Sequence, residues 1–197
     1  MNFLAHSYLS FYQPEILIGN MISDFVKGRK KFDYPEAIQK GIQLHRDIDT
    51  FTDDHPATKE AKQFLKPAVG LYAGAFIDVV YDHFLAIDQQ QFLEMKLDDH
   101  CQNTYGVLHE NNMLLPTKFQ MMLPYMMSQN WLFNYQHLWG IENSFGGVAR
   151  RATYLNSSSE VFGLFKDNYN ELQKCYNEFF PQVKAFAFTE LQRLLNQ

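Results

Sequence analysis

Residues 44–59 read Leu-His-Arg-Asp-Ile-Asp-Thr-Phe-Thr-Asp-Asp-His-Pro-Ala-Thr-Lys, with two histidines and four aspartates in one short stretch. Imidazoles and carboxylates that are buried together need compensation for their lost hydration, and one metal ion supplies it to both. A helix over 35–52 places Ile38, Ile42, His45 and Asp49 in one narrow sector. His45 and Asp49, one turn apart, then project from the buried side, towards a common ion or into a His–Asp hydrogen bond between helices. A helix over 68–87 repeats the pattern, with Asp78 and Asp82 one turn apart and His83 beside them in apolar surroundings. Those acids need a cation or an arginine such as Arg46 or Arg150. A helix over 14–27 adds Asn20 and Asp24, again one turn apart. The first apolar helix, 2–12, carries His6 beside Phe3 and Leu9. A lone histidine there is ordinarily a satisfied core residue, and its weight rises only if the other pairs converge on it. One shared ion accounts for all four helices at once, whereas without it each pair needs a separate partner. Asp53, Asp54 and His55 before Pro56 are turn and N-cap residues, with Asp54 the expected cap and the other two at the border of a site.

Competing chemistry is thin. The chain has no Gly-x-Ser-x-Gly elbow, P-loop, Gly-x-Gly-x-x-Gly or His-Glu-x-x-His. Cys101 and Cys175 form no Cys-x-x-Cys pair and have no evident activating base, so neither a disulfide framework nor a thiolate zinc site is expected. Metal–oxygen chemistry is what the side chains offer.

The elements that must position these groups are helices. Helical spacing recurs near 2–12, 14–27, 35–52, 56–66, 68–87, 90–108, 116–128, 130–138, 141–154, 158–179 and 182–195, and no segment alternates as a strand would. Pro14, Pro35, Pro56, Pro116 and Pro181 sit at expected helix starts, and Ser157 with Glu160 forms a capping-box signature. Residues 140–147 and 156–159 read as turns. With 197 residues, 46% of them apolar, the expectation is one compact all-α domain over 1–197. The net charge of −5 disfavours general nucleic-acid binding. Lys27, Arg29, Lys30 and Lys31 nevertheless form a local basic run, which on its own reads as a solvated loop. The N-terminus lacks the pattern of a signal peptide, and the most apolar segment, 69–87, contains two acids and a histidine. The expectation is a cytoplasmic protein with no membrane span.

Four stretches resemble the acyl carrier protein phosphodiesterases: Asn2-Phe3-Leu4-Ala5-His6, the run from Gly19 to Gly28, Leu44 to Pro56, and Tyr81-Asp82-His83-Phe84-Leu85-Ala86. The resemblance covers about the first ninety residues; the rest is alike in length and helical character. It implies an HD-domain-like helical fold and a metal-dependent phosphodiesterase that removes the 4′-phosphopantetheine arm from a serine of holo-acyl carrier protein. The ion implied is manganese, or iron, cobalt or magnesium in its place. The family's critical acid maps onto Asp24. The chain departs from the wider HD group in having no adjacent His-Asp dipeptide, which leaves the ligand set open. Within this reading His6, Asp24, His45 and Asp78 are candidate metal ligands. Asp49, Asp82 and His83, with Asp24, are candidates to orient ligands or relay a proton, and Arg46 to hold the phosphate. Acyl carrier proteins are small and acidic, so Lys27, Arg29, Lys30 and Lys31, directly after Asp24, become a docking patch. Met113, Met121, Met122, Met126 and Met127 form either a channel for the arm or ordinary core. Two other readings are a non-catalytic module that binds the carrier, and an HD-like phosphohydrolase acting on a nucleotide or phospholipid.

Overall fold

A computed structural model describes residues 1–152 and 158–197. The described residues are helical and contain no strand. The helices are α1 (Phe3–Tyr8), α2 (Pro14–Ile22), α3 (Glu36–Asp54), α4 (Pro56–Val69), α5 (Ala73–Ile87), α6 (Leu97–Glu110), α7 (Thr117–Ser128), α8 (Trp131–Asn134), α9 (Leu138–Arg151), α10 (Ser159–Asp167) and α11 (Tyr169–Leu195). Pro14 and Pro56 take first-turn positions, where a missing N–H costs nothing, and Pro35 and Pro116 stand just before their helices.

α5 is the central rod. Phe76, Ile77, Val80, Tyr81, Phe84 and Leu85 are buried around it. The stretch Pro56–Ile87 is long and apolar enough to cross a membrane by length and composition; here most of its large apolar residues pack inside the helical core, while Leu71 faces outward. α11 crosses α3 and α4 and closes the bundle through aromatic contacts, among them Tyr81 stacked on Phe179 at 4.8 Å.

The closest helix pair is α2 with α3. A Cβ at Gly19 would lie 2.2 Å from the Ile38 carbonyl oxygen, and one at Gly41 would lie 2.3 Å from that of Ile16. The two backbones therefore touch, and only glycine fits at both positions. This contact sets the site, because Asn20 follows Gly19 and His45 lies one turn beyond Gly41.

Several expected boundaries move. α1 ends at Tyr8, and Phe11 and Tyr12 take positive φ of 49° and 59° in the turn before Pro14. α2 stops at Ile22, so Asp24 sits in a short 3-10 turn, Ser23–Phe25. The expected α6 start near 90 falls in turns, and the helix begins at Leu97. Residues 140–147 are not a turn but the interior of α9. Pro181 does not start a helix, because α11 runs through it; the break falls instead at Asn168. The α4 cap is His55, whose Nδ1 accepts from the Ala57 N–H at 3.2 Å, while Asp54 pairs with Lys59 at 3.6 Å. The capping box expected from Ser157 and the final residues of the 141–154 helix lie outside the described residues.

Candidate metal centre

Two imidazoles meet face to face at the junction of α1 and α3. The rings of His6 and His45 stack at 3.8 Å with an interplanar angle of 14°. Asn20, from α2, holds both. Its side-chain Nδ2 donates to the His6 carbonyl at 2.9 Å and to Ser10 Oγ at 3.1 Å. Its Oδ1 is thereby left as the acceptor for His6 Nδ1, at 2.8 Å. The backbone carbonyl of the same Asn20 lies 2.7 Å from His45 Nδ1. A carbonyl can only accept, so both Nδ1 atoms carry hydrogen. In the neutral rings each Nε2 is then a free lone pair.

Both Nε2 atoms aim at Asp49. His6 Nε2 lies 3.2 Å from Oδ1, and His45 Nε2 lies 3.1 Å from Oδ2 and 3.3 Å from Asp24 Oδ1. These separations are short, yet neither buried nitrogen has a hydrogen-bond partner in acceptable geometry. Buried polar atoms without partners are uncommon. Ligand atoms of His6, His45 and Asp49 lie within 4.8 Å of one another, a spacing that fits a single cation. The imidazoles form the buried floor, and the carboxylates face outward, with Asp49 40% and Asp24 75% exposed. The donor set suits a borderline divalent metal, and Asn20 already holds the far nitrogen of each ring.

In the metal-free site a proton on His45 and the Met1 amine balance the carboxylates. Burial, together with the neighbouring His45, lowers the His6 pKa to about 4. Burial also opposes charge on His45, but Asp24 and Asp49 outweigh it and raise its pKa to about 9. Two stacked rings do not both charge, so the pair carries one extra proton, on His45 Nε2 facing Asp24 and Asp49. Burial opposes ionisation of Asp49, but the Met1 amine and the two histidines hold it far below the usual carboxylate range. The Asp24 contact with His45 lowers the Asp24 pKa.

The remaining candidates separate. Asp78 lies 3.0 Å from the Met1 amine, which also lies 3.4 Å from Asp49 Oδ1, so Asp78 borders the centre through that amine. Asp82 is fully buried under the start of α1, where its oxygens accept from the N–H groups of Asn2, Leu4 and Ala5 at 3.3, 2.8 and 3.2 Å. Burial pushes its pKa up to about 7 against the pull of those donors. Neither acid takes the arginine partner that the sequence allowed. His83 points elsewhere: Nδ1 donates to the Tyr135 carbonyl at 2.7 Å, and Nε2 accepts from the Tyr169 hydroxyl at 2.8 Å. Arg46 donates from Nη2 to the Val26 carbonyl at 2.9 Å and braces the loop behind Asp24. In that loop Lys27, Arg29 and Lys30 are exposed, while Lys31 is half-buried and donates to Gln43 at 3.1 Å. The five methionines do not gather. Met126 is buried, Met122 and Met127 pack on the core, and Met113 and Met121 face outward.

Asn20 is the residue that sequence reasoning left without a role. Its one-turn offset from Asp24 was visible, but its grip on both histidines depends on the α2–α3 contact. A groove of about 680 Å³ between α3 and α11, lined by acids that include Asp47, Asp54 and Glu190, does not contain the histidine pair.

Comparison with known proteins bears on this centre. The sequence model of one family, Acyl carrier protein phosphodiesterase, matches residues 1–183. Curated relatives named Acyl carrier protein phosphodiesterase include those of Yersinia pestis, Klebsiella pneumoniae (strain 342) and Serratia proteamaculans (strain 568). Each is 32% identical over 95% of this chain and 97% of the relative. No solved structure matches. By the extent of these matches, the chain belongs to the acyl carrier protein phosphodiesterase family.

Proposed function

We propose that this protein is a metal-dependent phosphodiesterase that removes the 4′-phosphopantetheine arm from the serine of holo-acyl carrier protein and leaves the apo form. The observation that carries the metal is the pair of buried Nε2 atoms, both aimed at Asp49 without a hydrogen-bond partner; Asn20 holds the hydrogen on each Nδ1, so Nε2 is the ligating atom of His6 and, once its extra proton leaves, of His45. Family membership carries the substrate.

His6, His45 and Asp49 are the ligands in this reading, with Asp24 on the open side. Nitrogen with carboxylate oxygen suits Mn²⁺, with Fe²⁺, Co²⁺ or Mg²⁺ as substitutes. A divalent ion there supplies positive charge against the phosphoryl oxygens and makes a nearby water more acidic. Asn20 keeps both rings in the ligating tautomer. Asp24, ionised and exposed, accepts a hydrogen bond from the attacking water and orients it in line with the leaving serine oxygen. Asp82 anchors the first turn of α1, and with it His6. Lys27, Arg29 and Lys30 attract the acidic carrier and speed its encounter. This reading places the protein in the cytoplasm.

The test is incubation of the purified protein with holo-acyl carrier protein and Mn²⁺, read by intact mass. The carrier should lose the mass of the phosphopantetheine arm, and a chelator should block the loss. Asp24→Ala should abolish turnover while the fold and carrier binding survive. A carrier that is bound but keeps its arm under all conditions would make the protein a binding module instead.

A further inference from the structure

Beside the metal centre lies a cleft of about 580 Å³ between the start of α1, α8 and α9. Such a volume falls within the range of small-molecule sites. None of His6, Asp24, His45 and Asp49 lines it; residues 1 and 2 stand between it and the centre, where the buried Met1 amine meets Asp49 and Asp78, while Asn2 lines the cleft and donates from Nδ2 to the Tyr135 hydroxyl at 2.9 Å. The walls alternate in chemistry. Trp131, Trp139 and Phe3 give apolar surface, Asn134, Asn143 and Gln129 give amide groups, and Glu142, Arg150 and Arg151 add charge along α9.

The third wall is α9, which carries two adjacent glycines, Gly146 and Gly147, in its interior. Glycine there weakens a helix relative to alanine, so some other constraint is expected. For Gly140, near the start of the same helix, the constraint is packing, since a Cβ would lie 2.0 Å from the Asn134 carbonyl oxygen. Gly146 and Gly147 have no such neighbour. A Cβ at Gly147 would meet only the guanidinium groups of Arg150 and Arg151, at 3.8 and 3.9 Å, and one at Gly146 only Arg150 at 3.5 Å and Ser158 Oγ at 3.9 Å. Among the described residues no close packing demands the two glycines, and both line the cleft.

We propose that this cleft is the subsite for the pantetheine arm, a neutral chain of two amides, a hydroxyl and a terminal thiol with apolar links, entering past Asn2 from a phosphate held at the histidine pair. The inference rests on the proposed function for its orientation. Amide faces pair with the asparagine and glutamine groups, and the apolar links lie against the two indoles.

The chain contains two tryptophans, and both line this cleft. Intrinsic fluorescence of the full chain therefore reports occupancy without any turnover. Titration with free pantetheine, which lacks the phosphate, should give a saturable change. Gly147→Leu has room for its side chain and fills the cleft; it should keep the helical circular dichroism and lose the fluorescence response. With holo-acyl carrier protein the same variant should raise KM about tenfold while kcat changes little. Trp139→Ala, at a half-exposed position, is a second variant and should weaken pantetheine binding with the fold intact. The subsite is overturned by the absence of a saturable response in the wild type, or by unaltered pantetheine binding and KM in folded variants. Pantetheine binding without cleavage of the carrier would leave the cleft standing and overturn the phosphodiesterase. Cleavage of the carrier with unaltered KM in Gly147→Leu would do the reverse.

Discussion

His6 with His45, and His83 with Asp82, are two histidine-bearing clusters built into apolar helices, and in the sequence they look alike. Their surroundings differ in one decisive respect. At His83 both ring nitrogens are used, one by the Tyr135 carbonyl and the other by the Tyr169 hydroxyl. At His6 and His45 only the Nδ1 atoms are used, and both Nε2 atoms are left to face Asp49. Burial raises the Asp82 pKa, whereas Asp49 is held ionised by three nitrogen groups. A buried histidine becomes a ligand when the structure satisfies one nitrogen and withholds a partner from the other.

The largest expected effects fall on the open cluster. Asp49→Asn or His45→Ala should lower kcat/KM for holo-acyl carrier protein by about a thousandfold or more, with loss of metal binding. In the closed cluster, His83→Phe should leave kcat/KM within about threefold and cost about 1–2 kcal/mol of stability, because two buried partners lose their hydrogen bonds. Equal loss of activity in both would erase the distinction. Asp82→Ala strands three buried or half-buried N–H groups and should cost about 3 kcal/mol, read by denaturant unfolding.

Asn20 sharpens the comparison. Asn20→Leu keeps the His45 contact, which is to the backbone, but frees His6 Nδ1. Metal affinity should fall about 10–100-fold, as for other lost outer-shell partners. Gly41→Val forces α2 from α3 and should disturb both contacts together.

The pH dependence has a definite sign. In the metal-free protein His45 holds its proton up to about pH 9, whereas His6 is neutral above about pH 4. Metal binding therefore displaces one proton, and affinity should rise about tenfold per pH unit between pH 6 and 8. Because the folded pKa of His45 exceeds its unfolded value, its contribution to metal-free stability is complete below about pH 6.5 and is lost as pH rises through about 9. The Tm of the metal-free protein should therefore decline across that interval from this group. The smallest effect concerns the surface. Replacing Lys27, Arg29 and Lys30 by alanine should raise KM a few-fold in low salt and little in high salt.

Much of this was legible in the sequence. The one-turn spacing of His45 and Asp49 on an apolar helix face pointed to the candidate centre, and four of the five prolines expected at helix starts stand there. Asp24 was legible as an acid but not as part of a 3-10 turn. His6 looked like an ordinary core histidine, because nothing local says that α1 stacks it on α3. The role of Asn20 is tertiary in origin: it depends on Gly19 and Gly41 letting two backbones touch, and helix periodicity carries no sign of that. Pro181 misled for a local reason, since a proline usually marks a helix boundary, yet α11 continues through it against the bundle.

Calorimetric titration of the chelator-treated protein with Mn²⁺ tests the central claim most directly. The account predicts a saturable site at the histidine pair that releases about one proton near pH 7.5, is abolished by Asp49→Asn and is retained by His83→Phe. Absence of binding, or binding that survives Asp49→Asn unchanged, would contradict it.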